Sequence, residues 1–460
     1  MKQMRFLNSA IVTVACKAVA MVSGLAVSII IARELGPDGR GLYALVMTTI
    51  VMCVSFGVFG LTASNTYFAA KDARKTRTIG IQSLATGIIG TILSIFAIYL
   101  VKQVSPTVLH GLNNNLLTLT YVLIPLFLWG NLFAFAYLGR GRILAFNLFE
   151  TGQRVIFFVL ALALLWHLNK SLNAYLASVL AVVGFLVVIY IINYFRNAAP
   201  GPLYETGYTS SSLGFGVKSY VASMLTLAVM RSGVLFVNYF GGNDDAGFFA
   251  VAQQISELVI IVPTIIGTVL FGRVSRGDSD HITPVVMRII TWSFLPVTLA
   301  MFFFSDWLIL TIFGQDFSRS ILPLKIMLPG AYLLGLEVIL AKDLAGRGYP
   351  WPAVLAWVPV ILVNFAGFVI FIPKFGVNGA ALSVTVSFFV IFILITSYYV
   401  KTSGVKIRDL FLLKLDDIRT LKTQLSLSLS QNFFATGKGA PNAVSTVPAQ
   451  SQAETQIVGR

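Results

Sequence analysis

Long apolar stretches separated by short polar segments run along the chain from residue 8 to residue 400. A transmembrane helix needs about 20 mostly apolar residues, and twelve stretches meet that requirement. Because the apolar residues are continuous and do not alternate with polar ones, the pattern predicts helices and not the strands of a membrane barrel. The predicted spans are residues 8–32, 42–63, 79–101, 117–138, 147–167, 174–195, 214–239, 246–271, 284–304, 324–345, 352–372 and 378–400.

Composition supports the same class. Of the 460 residues, 57% are apolar and only 11% are charged, and the mean hydropathy is +0.84. Soluble domains carry about 25% charged residues, so this chain has too few charges to cover a water-soluble body of its size. We therefore predict an all-α integral membrane protein.

The net charge of +15 is explained first by topology. If all twelve spans are helices, the segments on the side of the N-terminus hold sixteen Lys and Arg residues and those on the other side hold seven. Cytoplasmic loops carry the excess of Lys and Arg, so both termini are predicted to be cytoplasmic. The first stretch is too long for a signal peptide and is interpreted as an uncleaved span. No nucleic-acid partner is expected.

The two halves of the chain share a pattern at an offset of 206 residues. Five positions around the first predicted loop recur in kind around the seventh: Gly36, Asp38, Gly41, Tyr43 and Ala44 match Gly242, Asp244, Gly247, Phe249 and Ala250. A Gly-Arg-Gly turn at residues 139–141 recurs at 346–348. The alternative explanation of these matches is that similar turn residues occur at helix ends whether or not the halves share an ancestor. A repeat of six spans predicts two lobes, residues 1–200 and 201–400, with a substrate cavity between them near the membrane midplane.

Lys17 and Arg231 are cations deep inside predicted spans, where a charge is costly and usually faces a cavity. Lys17 is in the first span, and Arg231 is in the seventh, the first helix of the second half. Both are candidates for binding an anionic substrate, since Arg binds phosphate oxygens in a bidentate manner. The alternatives are that Lys17 extends to the headgroups and that Arg231 forms an ion pair with Glu257.

Glu257, in the middle of the eighth span, is the main candidate for coupling to protons or Na⁺, and Glu337 in the tenth span is a second one. The alternative for Glu257 is a structural interhelical hydrogen bond. Further polar residues are candidates for lining the cavity, although such groups also serve as ordinary helix contacts: Thr13, Ser55, Asn65, Asn238 and Gln253.

The C-terminal segment differs from the rest. Apolar residues recur at helical spacing between residues 406 and 425, which predicts a cytoplasmic amphipathic segment over 401–430. Residues 431–460 are poor in apolar residues and are predicted to be disordered. The chain carries no Walker A, HExxH or GxSxG sequence, so no catalytic residues, metal site or cofactor are predicted and the chain is not expected to be an enzyme.

Three segments carry a family resemblance: residues 31–43, residues 246–250 together with Glu257, and residues 376–381. They resemble the polysaccharide-biosynthesis (Wzx-like) flippases of the multidrug/oligosaccharidyl-lipid/polysaccharide exporter (MOP) superfamily, over roughly residues 5–400. The resemblance implies two six-helix bundles that alternate between inward-open and outward-open states. It also implies a polyprenyl-diphosphate-linked oligosaccharide as substrate, membrane lipids and a polysaccharide polymerase or export machinery as partners, and a location in the bacterial inner membrane.

Two other functions remain open at this stage. A cation/drug antiporter of the same superfamily would need carboxylates in its cavity helices, whereas the first and seventh spans here carry cations. A membrane-embedded glycan transferase or polymerase would be expected to have a long external loop, and the longest predicted one spans only residues 305–323.

Overall fold

A computed structural model describes residues 2–105, 109, 111–166, 171–275 and 282–414. Within these ranges the chain is helical and contains no strand. The helices are α1 (Lys2–Gly57), α2 (Leu61–Lys71), α3 (Thr76–Val104), α4 (Asn114–Gly139), α5 (Ile143–Trp166), α6 (Leu172–Arg196), α7 (Tyr208–Val274), α8 (Ile282–Phe303), α9 (Ser305–Ile312), α10 (Ile321–Gly346), α11 (Pro350–Phe375), α12 (Val377–Ser403) and α13 (Ile407–Phe411).

Ten helices in the described part of the chain are long and apolar enough to cross a membrane. The predicted all-α membrane fold is therefore confirmed. Two of these spans, Val12–Gly57 and Ser223–Phe271, have 46 and 49 residues. At about 1.5 Å per residue, each is more than twice as long as the hydrocarbon core of about 30 Å. The count of twelve spans and the cytoplasmic termini stay predictions.

Both long helices break at a glycine that leaves helical geometry. Gly36 has φ 66° and ψ −170°, and Gly242 has φ 82° and ψ −170°. Glycine suits these positions because residues with a Cβ rarely adopt such positive φ values. The two breaks are 206 residues apart and nearly identical, which agrees with the repeat found in the sequence.

The segment predicted as a loop between the first two spans differs from expectation. The helix resumes directly after Gly36 at Pro37, because proline is well suited to the first position of a helix. Arg40 thus lies in helical structure, and only 6% of it is exposed. The sequence placed Arg40 among the seven Lys and Arg residues on the side opposite the N-terminus, and that sidedness stays a prediction.

The backbones of α1 and α7 touch just after these breaks. A methyl group on Gly41 would overlap the carbonyl oxygen of Asn243, and one on Gly247 would overlap the carbonyl oxygen of Pro37. We call these four residues the glycine crossing. Gly41 and Gly247 are 206 residues apart, and so are Pro37 and Asn243. The two halves of the crossing therefore make the same contact with each other.

Buried apolar residues form two large clusters. One includes Leu45, Leu123 and Leu128, and the other includes Val237, Leu328 and Ile391, all essentially inaccessible. Residues 1–411 nevertheless form one compact unit. The division into lobes 1–200 and 201–400 stays a prediction.

The start of the C-terminal segment packs against α8. Helix α13 has only five residues, Leu410 is fully buried, and the Trp292 indole donates a hydrogen bond to the carbonyl oxygen of Phe411 at 2.8 Å. Over these residues the segment is therefore docked on α8, and its position at the membrane surface stays a prediction. The remainder of the predicted amphipathic segment from residue 415, and the segment 431–460 predicted to be disordered, lie outside the described residues.

Candidate functional site

A cavity of about 850 Å³ lies between α1 and α7. Both arms of each broken helix contribute to it, and α5 adds one residue. Its polar lining residues are Lys17, Ser28, Arg40, Tyr43, Thr48, Arg154, Arg231, Gln253, Gln254, Glu257 and Thr264. The breaks at Gly36 and Gly242 thus produce the four helical segments that enclose the cavity.

The charges on this lining are strongly unequal. Four side chains are cationic, Lys17, Arg40, Arg154 and Arg231, and one is a carboxylate, Glu257. The formal net charge of the lining is therefore +3. In a cavity with low-dielectric walls such an excess attracts anions and repels cations.

Arg231 and Glu257 form an ion pair, as one of the two sequence interpretations expected. Nη1 of Arg231 lies 3.2 Å from Oε1 of Glu257, and the Gln253 amide donates to the same oxygen at 2.8 Å. The Arg231 side chain is 38% exposed and that of Glu257 is 26% exposed. The pair thus joins the two arms of α7 across its break and still faces the cavity, and binding of an anionic substrate by Arg231 stays a prediction.

Arg40 is held by neutral groups from both halves of the chain. Its guanidinium donates to the Ser28 hydroxyl at 3.2 Å and to the Gln254 side-chain oxygen at 2.9 Å, while Ser28 donates to Gln254 at 2.5 Å. No carboxylate forms a salt bridge with Arg40 among the described residues. Its positive charge is therefore available to an anion that enters the cavity.

Lys17 and Arg154 are both exposed to the cavity. A methyl group on Gly24 would contact Nη1 of Arg154 at 3.7 Å, which places this guanidinium beside the middle of the first arm of α1. Neither side chain forms an ion pair within the part of the chain that the structure covers. The structure thus places Lys17 on the cavity wall.

The other predicted site residues are not among those that line this cavity. They are Thr13, Ser55, Asn65, Asn238 and Glu337. The position of a polar residue within a predicted helix was therefore not enough to tell whether it faces the cavity.

Three of these residues make contacts between helical segments. Asn65 is fully buried and donates to the Ser83 hydroxyl at 2.9 Å, and Thr13 accepts a hydrogen bond from Asn147 at 2.8 Å. Asn238 donates to Asn243 at 2.8 Å beside the glycine crossing. Hydrogen bonds of this kind favour the structural alternative for these polar groups.

Ser55 is half-buried in the second arm of α1. Glu337 is 3% exposed within α10 and lies apart from the cavity. A carboxylate so deeply buried is costly unless it is neutral or paired, so Glu337 stays a candidate for ion coupling by a route other than this cavity.

Sequence reasoning missed Arg40 and Arg154 as cavity residues. The signal for Arg40 was present, because Pro37 marks the start of a helix and puts Arg40 in its first turn. Arg154 lies inside the predicted fifth span, residues 147–167, but close to Arg140 and Arg142, and was therefore interpreted as a charge that orients the helix. Only the packing of α5 against α1 brings it to the cavity.

Comparisons with known proteins agree with this architecture. Residues 6–277 match the family described as "Polysaccharide biosynthesis protein". A probable low-salt glycan biosynthesis flippase of Haloferax volcanii, Agl15, is 25% identical over 188 residues. That alignment covers 39% of this chain and spans only 38% of the length of Agl15.

Two solved structures show the same fold. A multidrug resistance MATE family transporter of the MOP superfamily, in an inward-facing conformation, matches with TM-score 0.67 and 15% identity over 86% of this chain and 98% of that chain. The lipid II flippase MurJ, in an inward closed conformation, matches with TM-score 0.67 and 12% identity over 94% of both chains. This chain therefore has the fold of MOP-superfamily transporters and is a multi-pass membrane protein.

Proposed function

The chain belongs to the polysaccharide biosynthesis protein family, and from that premise we propose that it is a flippase for polyprenyl-diphosphate-linked oligosaccharides. The family covers more than half of the chain, and a relative, Agl15, is described as a probable glycan biosynthesis flippase. In this proposal the protein acts in the cytoplasmic membrane and supplies repeat units to a polymerase or export machinery. It is a transporter and not an enzyme.

The observation that carries the proposal is the charge of the cavity. Four cations and one carboxylate face the same space of about 850 Å³. A diphosphate has the opposite sign, and guanidinium groups can bind its oxygens through paired, charge-assisted hydrogen bonds. The glycan then occupies the remaining volume while the polyprenyl chain stays in the lipid.

Arg231 links substrate binding to Glu257. When a phosphate oxygen binds the guanidinium of Arg231, the ion pair between Arg231 and Glu257 is broken. Glu257 still accepts the hydrogen bond from the Gln253 amide. A carboxylate without its cation binds a proton or Na⁺ more readily. In this proposal Glu257 couples transport to an ion gradient, with Glu337 as a second candidate. Movement of residues 1–200 against residues 201–400 would alternate access to the cavity.

A cation/drug antiporter is the second candidate, because the fold is shared with a MATE transporter. Fold alone does not define the substrate. A cationic drug would enter a cavity whose lining carries a net charge of +3 and would be repelled. The charge of the site therefore favours the anionic substrate. A membrane-embedded glycan transferase or polymerase has no observation in its favour.

Transport by purified protein in vesicles tests the proposal. We expect Arg231→Ala and Lys17→Ala to abolish movement of a labelled polyprenyl-diphosphate oligosaccharide across the bilayer. Arg77→Ala is the matched control, since Arg77 is an exposed cation outside the cavity. Normal transport by both cavity variants would overturn the proposal. Uptake of an organic cation in place of the lipid-linked glycan would support the antiporter.

A further inference from the structure

A second, smaller pocket adjoins the cavity. Its volume is about 270 Å³, and it lies among α1, α4, α5 and α6. Four residues line both spaces, Gly24, Tyr43, Met47 and Arg154, so the pocket lies beside the cationic cavity and shares a wall with it. A group bound at Arg154 would therefore lie where the two spaces meet.

The wall of this pocket is apolar and partly aromatic. Val27, Phe157, Val179, Val182 and Val183 are each less than 9% exposed. Phe127 adds a second phenyl ring. Such walls suit the C–H faces of a sugar ring or a hydrocarbon, and volume and shape alone do not separate the two.

Three polar groups of the pocket favour a sugar ring over a hydrocarbon as its ligand. The Gln153 amide, the Tyr43 hydroxyl and the Arg154 guanidinium all line the pocket. None of the three has a hydrogen-bond partner among the residues that the structure describes. A hydrocarbon would take these groups out of water without replacing their hydrogen bonds, which costs free energy. A ligand with its own hydroxyl or amide groups would satisfy them.

The size of the pocket restricts the ligand further. Water occupies about 30 Å³ per molecule in the liquid, so a pocket of about 270 Å³ has room for about nine waters. This space suits one pyranose ring with a small substituent. The larger cavity holds the rest of a glycan.

We propose that this pocket is a monosaccharide subsite that binds the sugar attached to the diphosphate of the substrate. The inference rests on the proposed flippase function. With the diphosphate at Arg154, the adjoining sugar enters the pocket, its apolar face packs on Phe157 and its polar groups bind Gln153 and Tyr43. The subsite makes the protein selective for the first sugar of the repeat unit.

Binding of short synthetic lipids to the full-length protein in nanodiscs tests the subsite. The probes are a short polyprenyl diphosphate without sugar and the same lipid with one glucose, galactose, N-acetylglucosamine or N-acetylgalactosamine. We expect at least one sugar-bearing probe to bind the wild-type protein at least tenfold more tightly than the probe without sugar.

Two variants remove the subsite in different ways. Gln153→Leu deletes the amide at similar size, and Val183→Phe fills the pocket. Both should remove the advantage of the sugar-bearing probe while binding of the probe without sugar stays unchanged. Val188→Phe is the matched control, because Val188 lies on the same helix and is 53% exposed outside the pocket.

The outcomes separate this inference from the proposed function. If no sugar adds affinity, or if both variants keep the advantage, the subsite is overturned while binding of the bare diphosphate lipid still supports the flippase. If both variants weaken binding of the probe without sugar as much as binding of the sugar-bearing probe, the pocket holds isoprenoid chain and the subsite is again wrong. If the wild-type protein binds no probe, the flippase proposal fails, and the subsite fails with it.

Discussion

Two close backbone contacts between the halves of the chain are built differently. At the glycine crossing, Gly41 packs on the carbonyl of Asn243 and Gly247 on the carbonyl of Pro37, so one contact maps onto the other by the 206-residue offset. At the second place, Gly60 and Gly216 pack against each other's carbonyl oxygens. Their numbers differ by 156, so no repeat relates them.

Hydrogen bonds and ion pairs sharpen the contrast. Near the second place, which we call the Gly60 contact, the Tyr220 hydroxyl donates to the carbonyl oxygen of Phe56 at 2.8 Å. Close by, Lys75 pairs with Glu205 at 2.7 Å. Glu205 belongs to the connection between α6 and α7, which occurs once in the chain.

Contacts between the halves are thus of two kinds. The crossing is self-complementary, as a contact across a two-fold axis is. The Gly60 contact has no counterpart at the 206-residue offset. If access to the cavity alternates, loosening one of these contacts should favour states in which the other stays closed.

The largest effect is expected from Gly41→Ala, since its methyl group meets backbone that cannot turn away. Overpacking costs about 1–3 kcal/mol, which corresponds to a shift of about 5- to 150-fold against the closed crossing. The measurement is disulfide formation between Asp38→Cys and Asn243→Cys, whose native side chains lie 2.9 Å apart.

This cross-link should form readily in a background without Cys16 and Cys53 and should be lost when Gly41→Ala is added. Gly152→Ala is the control, because a methyl group there meets nothing within 4 Å. An unchanged cross-link and unchanged transport in Gly41→Ala would show that the crossing accommodates a methyl group at residue 41 and that this prediction is wrong.

The next effect is expected from Arg40→Met, which removes both the tie to Gln254 and one cavity cation. A hydrogen bond to a charged group contributes about 1.5–3 kcal/mol, so affinity for a diphosphate lipid should fall about 10-fold or more. Binding in nanodiscs measures this loss. Arg77→Met, which removes an exposed cation elsewhere, should bind normally, and equal affinity of the two variants would exclude Arg40 from the site.

A smaller effect is expected from Gly216→Ala, whose methyl group would lie 2.7 Å from the carbonyl oxygen of Gly60. Loosening this contact should favour states in which the crossing stays closed. The 38–243 cross-link should therefore form as fast as before, or faster, while transport falls several-fold. Gly214→Ala, two residues earlier in the same helix and facing open space, should change neither quantity. Loss of the cross-link would mean that loosening the Gly60 contact also opens the glycine crossing.

The smallest effect is expected at the ion pair between Lys75 and Glu205, whose side chains are 24% and 40% exposed. Exposed pairs contribute about 0.2–1 kcal/mol and weaken with salt. Lys75→Ala should lower the melting temperature slightly, and the difference should shrink at high ionic strength. A large, salt-independent loss would assign Lys75 a role beyond this pair.

Part of the site could be predicted because a charge inside an apolar run stands out. Lys17, Arg231 and Glu257 were expected on this ground, Gln253 was expected as a polar residue in a span, and all four line the cavity. The same logic failed for Asn65, which is buried against Ser83. A polar group in a membrane helix needs a partner, and the sequence does not say whether that partner is a substrate or another helix.

Arg40 and Arg154 show the opposite failure. Arg40 lies near the end of an apolar run, and Arg154 lies close to Arg140 and Arg142, so each resembled an arginine that orients a helix. Arg40 faces inward because the chain is helical again directly after Gly36. Arg154 faces the cavity because α5 packs on the first arm of α1 beside Gly24. Neither fact is visible in a window of local sequence.

By itself the sequence determined the membrane class, the helical architecture and the positions of the two glycine breaks, because these depend on local apolar content and on backbone conformation. Only the tertiary structure decided which charges share the cavity, how Arg231 is paired, and that Gly41 meets Asn243. Those features join residues some 26 to 226 positions apart. Such proximity depends on how whole helices pack, and no periodicity within one helix encodes it.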